Sequence, residues 1–166
     1  MWQEKAPWFF AVLVACAAGF VWVTCQGLPE LVAAHFGASG AANGFMPRRG
    51  YVWFTLGFVI GLPAVMVWLS WFAIKRPGAR INLPHRDYWL APARRDQTIG
   101  RLRAAILQFG VLLLIFLCYA HGLVVRANMT QPAQLASTWF VGGLVVFLLA
   151  LLFWARAFLG GFRRDS

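Results

Sequence analysis

Three histidines and three cysteines are the side chains in this chain best suited to chemistry, and they stand far apart. The histidines are His35, His85 and His121; the cysteines are Cys16, Cys25 and Cys118. No Cys-x-x-Cys pair and no Cys/His ligand spacing appears, so the cysteines read as small apolar packing residues. A mixed sulfur and nitrogen metal site is open only to His35, His121 and Cys25, and only if folding brings them together. Otherwise His121 reads as a helix-end residue bonded to a neighbour, His35 as a satisfied loop residue and His85 as solvated among arginines. There is no G-x-S-x-G, no H-E-x-x-H, no Gly-Lys-Ser/Thr phosphate loop and no G-x-G-x-x-G. The five acidic residues are too scattered to form an acid/base pair. No enzymatic activity and no cofactor is expected.

The elements that must position these residues are helices in lipid. Hydrophobic residues make up 61% of the 166 residues and charged ones 12%, where a soluble domain carries about 25% charged residues. Four apolar runs stand out, at about 8–26, 51–74, 104–125 and 138–158. Each has the roughly 20 residues needed to cross a hydrocarbon layer of about 30 Å. None contains Asp, Glu or Lys, and only Arg156 enters one, at its last turn. The expectation is an all-α, polytopic membrane protein: one membrane domain over 1–166, a structured outer loop at 27–50 and a basic inner loop at 75–103. Within the runs, Gly57 and Gly61, and Ala11, Ala15 and Gly19, have the small-residue spacing that lets helices approach closely. Pro63 should bend the second span.

The charges orient the bundle. The net charge is +10, and twelve of the fifteen basic residues fall on the side shared by the termini and the central loop. These are Lys5, Lys75, Arg76, Arg80, Arg86, Arg94, Arg95, Arg101, Arg103, Arg156, Arg163 and Arg164; Arg48, Arg49 and Arg126 fall on the other. Basic excess marks the cytoplasmic side, so both ends and the central loop should lie on the cytoplasmic side of the membrane. With the charge sorted by topology, nucleic acid is not an expected partner, but anionic lipid is. Arg86, Tyr88, Trp89, Arg94 and Arg95 of the inner loop should meet the headgroups. Asp96-Gln97-Thr98 should cap the helix leading into the third span.

The outer loop is the most patterned stretch outside the spans. Leu28-Pro29 should start a short helix with Leu31, Val32 and Phe36 over the membrane face, and Gly37, Gly40 and Asn43-Gly44 supply turns. Leu28, Pro29, His35, Phe36, Gly40, Asn43 and Gly44, in this order, resemble the signature of the bacterial "domain of unknown function 1648" family, which also opens the SdpI-type toxin-immunity proteins. A second stretch, Asn82-Leu83-Pro84-His85-Arg86-Asp87-Tyr88-Trp89-Leu90-Ala91-Pro92-Ala93-Arg94-Arg95, resembles a segment of members of that family. There Asn-Lys stands in place of His85-Arg86 and an acidic residue in place of Ala93. The chain is shorter than SdpI-type proteins and lacks their further spans.

The resemblance implies a non-enzymatic membrane protein of toxin immunity or envelope sensing, with a protein or peptide partner at the outer loop. A different class, a small transporter or an accessory subunit of a membrane complex, would draw on the His35 and His121 region. The charge distribution makes a first prediction. In a background lacking the three native cysteines, a cysteine at position 90 should react only with reagents that reach the cytoplasm, and one at position 40 with impermeant reagent added outside. The opposite labelling pattern overturns the orientation.

Overall fold

A computed structural model describes residues 2–74, 76 and 81–163, with backbone alone for 2–5. Lys75, Arg80 and Arg164, and the side chains of Trp2 and Lys5, therefore lie outside the described residues. Four helical stretches are long and apolar enough to cross a membrane. The first is α1 (Trp2–Gln26). The second is built from α2 (Arg48–Thr55), a π-helical turn (Leu56–Gly61) and α3 (Leu62–Ala73). The third is α5 (Pro92–Ala127) and the fourth α6 (Ser137–Gly160). A single turn, α4 (Arg86–Trp89), lies in the basic loop.

The π-helical turn answers the expectation at Pro63. In a regular α-helix the proline ring would crowd the carbonyl four residues back, that of Val59, and could not bond it. The wider turn over Leu56–Gly61 makes room for the ring, and the span continues to Ala73.

α5 is the axis of the bundle. Its 36 residues make a rod about 54 Å long at 1.5 Å per residue, well over the thickness of a hydrocarbon core. α1, α3, α6 and the π-helical turn all pack on it. α1 presents Ala17, Val21 and Cys25, spaced four apart, to a core shared with Leu114, Leu117 and Val59. Close approach falls where the sequence did not advertise it. A methyl group on Gly19, Gly57 or Gly61 would meet nothing within 4 Å, and Ala11 and Ala15 are exposed, so both small-residue repeats face outward. The tight positions are Gly110, where a Cβ would press on Val67 and Phe10, and Gly143, where it would enter the Tyr119 ring. Tyr119 lies over Gly143 and donates its hydroxyl to the Trp139 carbonyl at 2.6 Å, which seats α6 on α5.

The expected short helix after Leu28-Pro29 is not formed. The segment is an antiparallel β-hairpin of β1 (Leu31–Phe36) and β2 (Ala42–Pro47). The reason lies in partners outside the segment's own spacing. Arg48 reaches back to the carbonyls of Gln26 and Leu28 and so stops α1 at its last turn. Gly40, at φ +83°, then reverses the chain. The hairpin is clamped to the bundle by Asn128, which follows α5. Its amide accepts from the Ala33 N–H at 2.8 Å and donates to the Ala33 carbonyl at 2.9 Å, as a neighbouring strand would. The loop after Asn128 continues this edge: Leu135 N–H donates to the Gly40 carbonyl and Gln134 to that of Ser39.

At the opposite end, the basic loop folds back on the bundle. Leu83, Ile99, Leu102 and Phe162 form a buried cluster with Trp89 against it. The Trp89 indole donates to the Phe162 carbonyl at 3.0 Å, and Thr98 donates to the Trp89 carbonyl at 2.8 Å. α5 starts at Pro92, not at Asp96-Gln97-Thr98. Proline lacks the N–H that a first-turn residue would leave unpaired, so it opens the helix, and Thr98 is freed to tie down the loop.

The clamp carries a prediction for stability. Asn128→Ala deletes both bonds to Ala33 and leaves a strand N–H and carbonyl unpaired, which should cost about 1–3 kcal/mol. Gly40→Ala forces a Cβ into the Leu135 carbonyl and the side chain of Ser137 and should cost at least as much. Both should lower the midpoint of thermal unfolding in detergent and open the hairpin to protease. Unchanged midpoints would remove the clamp.

Candidate functional site

Beneath the hairpin, three spans meet at one imidazole. His121 of α5 is 4% exposed and lies between Thr24 of α1 and Tyr51 of α2. Nε2 is 2.8 Å from the Thr24 hydroxyl and Nδ1 is 3.0 Å from the Tyr51 hydroxyl. Thr24 donates its one proton to the Phe20 carbonyl at 2.7 Å, so His121 must donate to Thr24 from Nε2 and accept from Tyr51 at Nδ1. The bonds run in one direction: Tyr51 to His121, His121 to Thr24, Thr24 to the backbone of α1. Phe20 meets the imidazole edge-on and the Tyr51 ring stacks on it, with centroids 5.7 and 5.9 Å away. Buried Thr55 borders Tyr51 one turn along α2.

Both ring nitrogens of His121 are thus occupied by hydroxyl groups. Cys25 is fully buried among Val21, Leu28 and Val32. His35 is exposed on the hairpin, where its Nδ1 is 2.5 Å from the Asn43 side-chain oxygen. Cys25 shares the buried cluster of Tyr51, the partner of His121, whereas His35 stands apart on the hairpin; among the described residues no three His, Cys, Asp or Glu side chains gather. What the junction does is join α1, α2 and α5 by polar bonds where lipid supplies no water to compete.

The patterned residues of the loop find roles in the hairpin. Leu28 is buried in the core below it. His35 pairs with Gly44 across the strands, and a Cβ on Gly44 would lie 2.9 Å from that of His35. Phe36 pairs with Ala42 beside the turn, and Asn43 holds the His35 ring. Gly40 supplies both the left-handed turn and the contact with Leu135. Pro29 is exposed at the exit of α1.

In the basic loop, Arg86 and Arg94 are exposed and Arg95 is half-buried. The Arg94 guanidinium sits 4.1 Å from the Tyr88 ring centroid and that of Arg101 5.6 Å from Trp89. The half-buried Trp89 ring is turned to Phe162 and its indole N–H donates to the Phe162 carbonyl.

Sequence reasoning missed Tyr51 and Asn128. Tyr51 opens the second apolar run, where an aromatic suits the membrane interface without any partner. Asn128 carried one signal, an Asn directly after an apolar helix, where its side chain suits a helix end.

Four spans, a hairpin clamped over one end and a basic loop folded over the other define a polytopic α-helical membrane protein. Its residues 11–67, from α1 through the hairpin and into α3, match the family model described as Domain of unknown function (DUF1648). Compared with curated proteins and with solved structures, the chain finds no match.

The junction predicts a graded loss. Tyr51→Phe removes one bond and should cost about 1 kcal/mol, in the range of polar contacts between membrane helices. His121→Phe fills the space but removes the acceptor of the Tyr51 hydroxyl and the bond to Thr24, and should cost about 1–3 kcal/mol. Thermal unfolding in detergent reads both. Equal stability of His121→Phe and the parent chain would show that the junction holds nothing together.

Proposed function

We propose that this protein is a non-enzymatic recognition protein of the bacterial inner membrane, with the hairpin outside and both termini in the cytoplasm. On this reading it binds a membrane-active peptide or protein toxin at the hairpin, in toxin immunity or envelope sensing. One observation carries it: the clamped hairpin displays large apolar side chains. Leu31 and Phe45 are 59% and 56% exposed. They pair with Pro47 and Ala33 respectively, which makes them diagonal neighbours on one face. A rigid loop that exposes apolar residues is a common form of binding surface. Met129, 70% exposed beside the Asn128 clamp, extends the apolar character.

The orientation is supported by the basic excess at the loop and termini. Exposed Arg86 and Arg94 favour contact of the inner loop with anionic headgroups. The resemblance to the SdpI-type proteins supports immunity over transport. An accessory-subunit role draws support from α6, none of whose residues is buried, leaving a helix face for a neighbouring membrane protein.

The test is genetic. Deletion of the gene should sensitise the cell to at least one membrane-active peptide or toxin, and the parent chain should restore resistance. Leu31→Asp with Phe45→Asp should insert and unfold like the parent yet fail to restore it. His35→Gln, which retains a polar partner for Asn43, should restore it. Rescue by the double variant, or a deletion that leaves every sensitivity unchanged, overturns the proposal.

A further inference from the structure

Towards the basic end the bundle does not close. A groove of about 840 Å³ lies among α1, α3, α5 and α6. Small residues make it: Gly100 and Ala104 on α5, Ala150 and Ala157 on α6. Its walls are apolar on three helices, with Phe10 on α1, Leu107 and Val111 on α5, and Phe153 on α6.

Four side chains with polar atoms also line it: Trp71, Arg103, Gln108 and Trp154. The Arg103 guanidinium is 4.7 Å from the Trp71 ring centroid, so an aromatic face holds it at the wall. Its Nε is buried and has no hydrogen-bond partner, and the same is true of the Trp154 indole nitrogen. A buried donor without an acceptor is costly, and the two side chains that carry such donors both line the groove. None of the lining residues is acidic.

The order of these groups along α5 is that of an amphiphile. Arg103, Leu107 and Val111 follow at four-residue intervals, a stripe about 12 Å long at 1.5 Å per residue. The cation is at the end nearer the basic loop and the apolar wall runs away from it. We propose that the groove binds one anionic phospholipid from the leaflet on the basic side, its phosphate on Arg103 and one acyl chain along Leu107, Val111 and Phe153. A second copy of this chain fits less well. None of its four apolar runs carries Asp or Glu, so a docked span brings no anion to Arg103. The site is separate from the hairpin and does not depend on the function assigned to it.

The experiment uses the full chain, purified in mild detergent from membranes containing phosphatidylglycerol and phosphatidylcholine, and read by native mass spectrometry. The parent should retain one phosphatidylglycerol per chain in preference to phosphatidylcholine. Arg103→Gln should lose that preference. Ala150→Phe, which fills the groove and leaves the charge, should lose the bound lipid. Arg126→Gln, an exposed arginine at the other end of the same helix, should retain it. Phosphatidylglycerol retained by both Arg103→Gln and Ala150→Phe overturns the proposal. So does its loss from Arg126→Gln but not Arg103→Gln, or a lipid-free dimer that Ala150→Phe dissociates.

Discussion

Lipid gives an apolar helix no reward for leaving it, because a neighbouring helix is no oilier than an acyl chain. Helices that must stay together in such a solvent are held by shape and by polar bonds. The fold depends on this constraint. α1 and α5 interlock through Ala17, Val21, Cys25 and Leu114, but the polar tie between them is His121 with Thr24. Tyr51 brings the second span to the same imidazole. α6 has no equivalent in the core and is seated by the Tyr119 ring over Gly143 and one bond to the Trp139 carbonyl.

At the bundle's end the hairpin meets a different need, because a strand edge presents unpaired N–H and carbonyl groups. Asn128 meets β1 at Ala33 with both a donor and an acceptor, and the chain after it serves Ser39 and Gly40. A two-stranded hairpin alone is marginal. Here it is closed on one side by a side chain that imitates a strand and underneath by Leu28 and Val32 in the core. That leaves Leu31 and Phe45 exposed on a surface that is fixed in place.

The four spans were legible because their signal is long and additive: roughly twenty apolar residues without a charge admit few other folds. Span ends were less so. α5 begins twelve residues before the apolar run at 104–125, since Pro92 can open a helix in a charged segment as readily as in an apolar one. The outer loop was legible as pattern but not as form. Leu31, Val32 and Phe36 fit a helix face on spacing alone, and the hairpin is decided by contacts from Arg48 and Asn128, distant in sequence. Local propensity cannot see such partners. His121 stood out as a polar residue in an apolar run, yet its partners Thr24 and Tyr51 come from other spans 97 and 70 residues away. The small-residue repeats misled for the opposite reason: spacing marks where helices could approach, and the packed positions Gly110 and Gly143 belong to no repeat.

α5 is one uninterrupted helix from Pro92 to Ala127, gripped near its ends by Trp89 with Thr98 and by the Asn128 clamp. A stiff rod fastened in this way is a strut. From His121 to Pro92 it runs about 44 Å at 1.5 Å per residue, so the clamp under the hairpin and the end that carries Arg94, Arg101 and Arg103 belong to one rigid element.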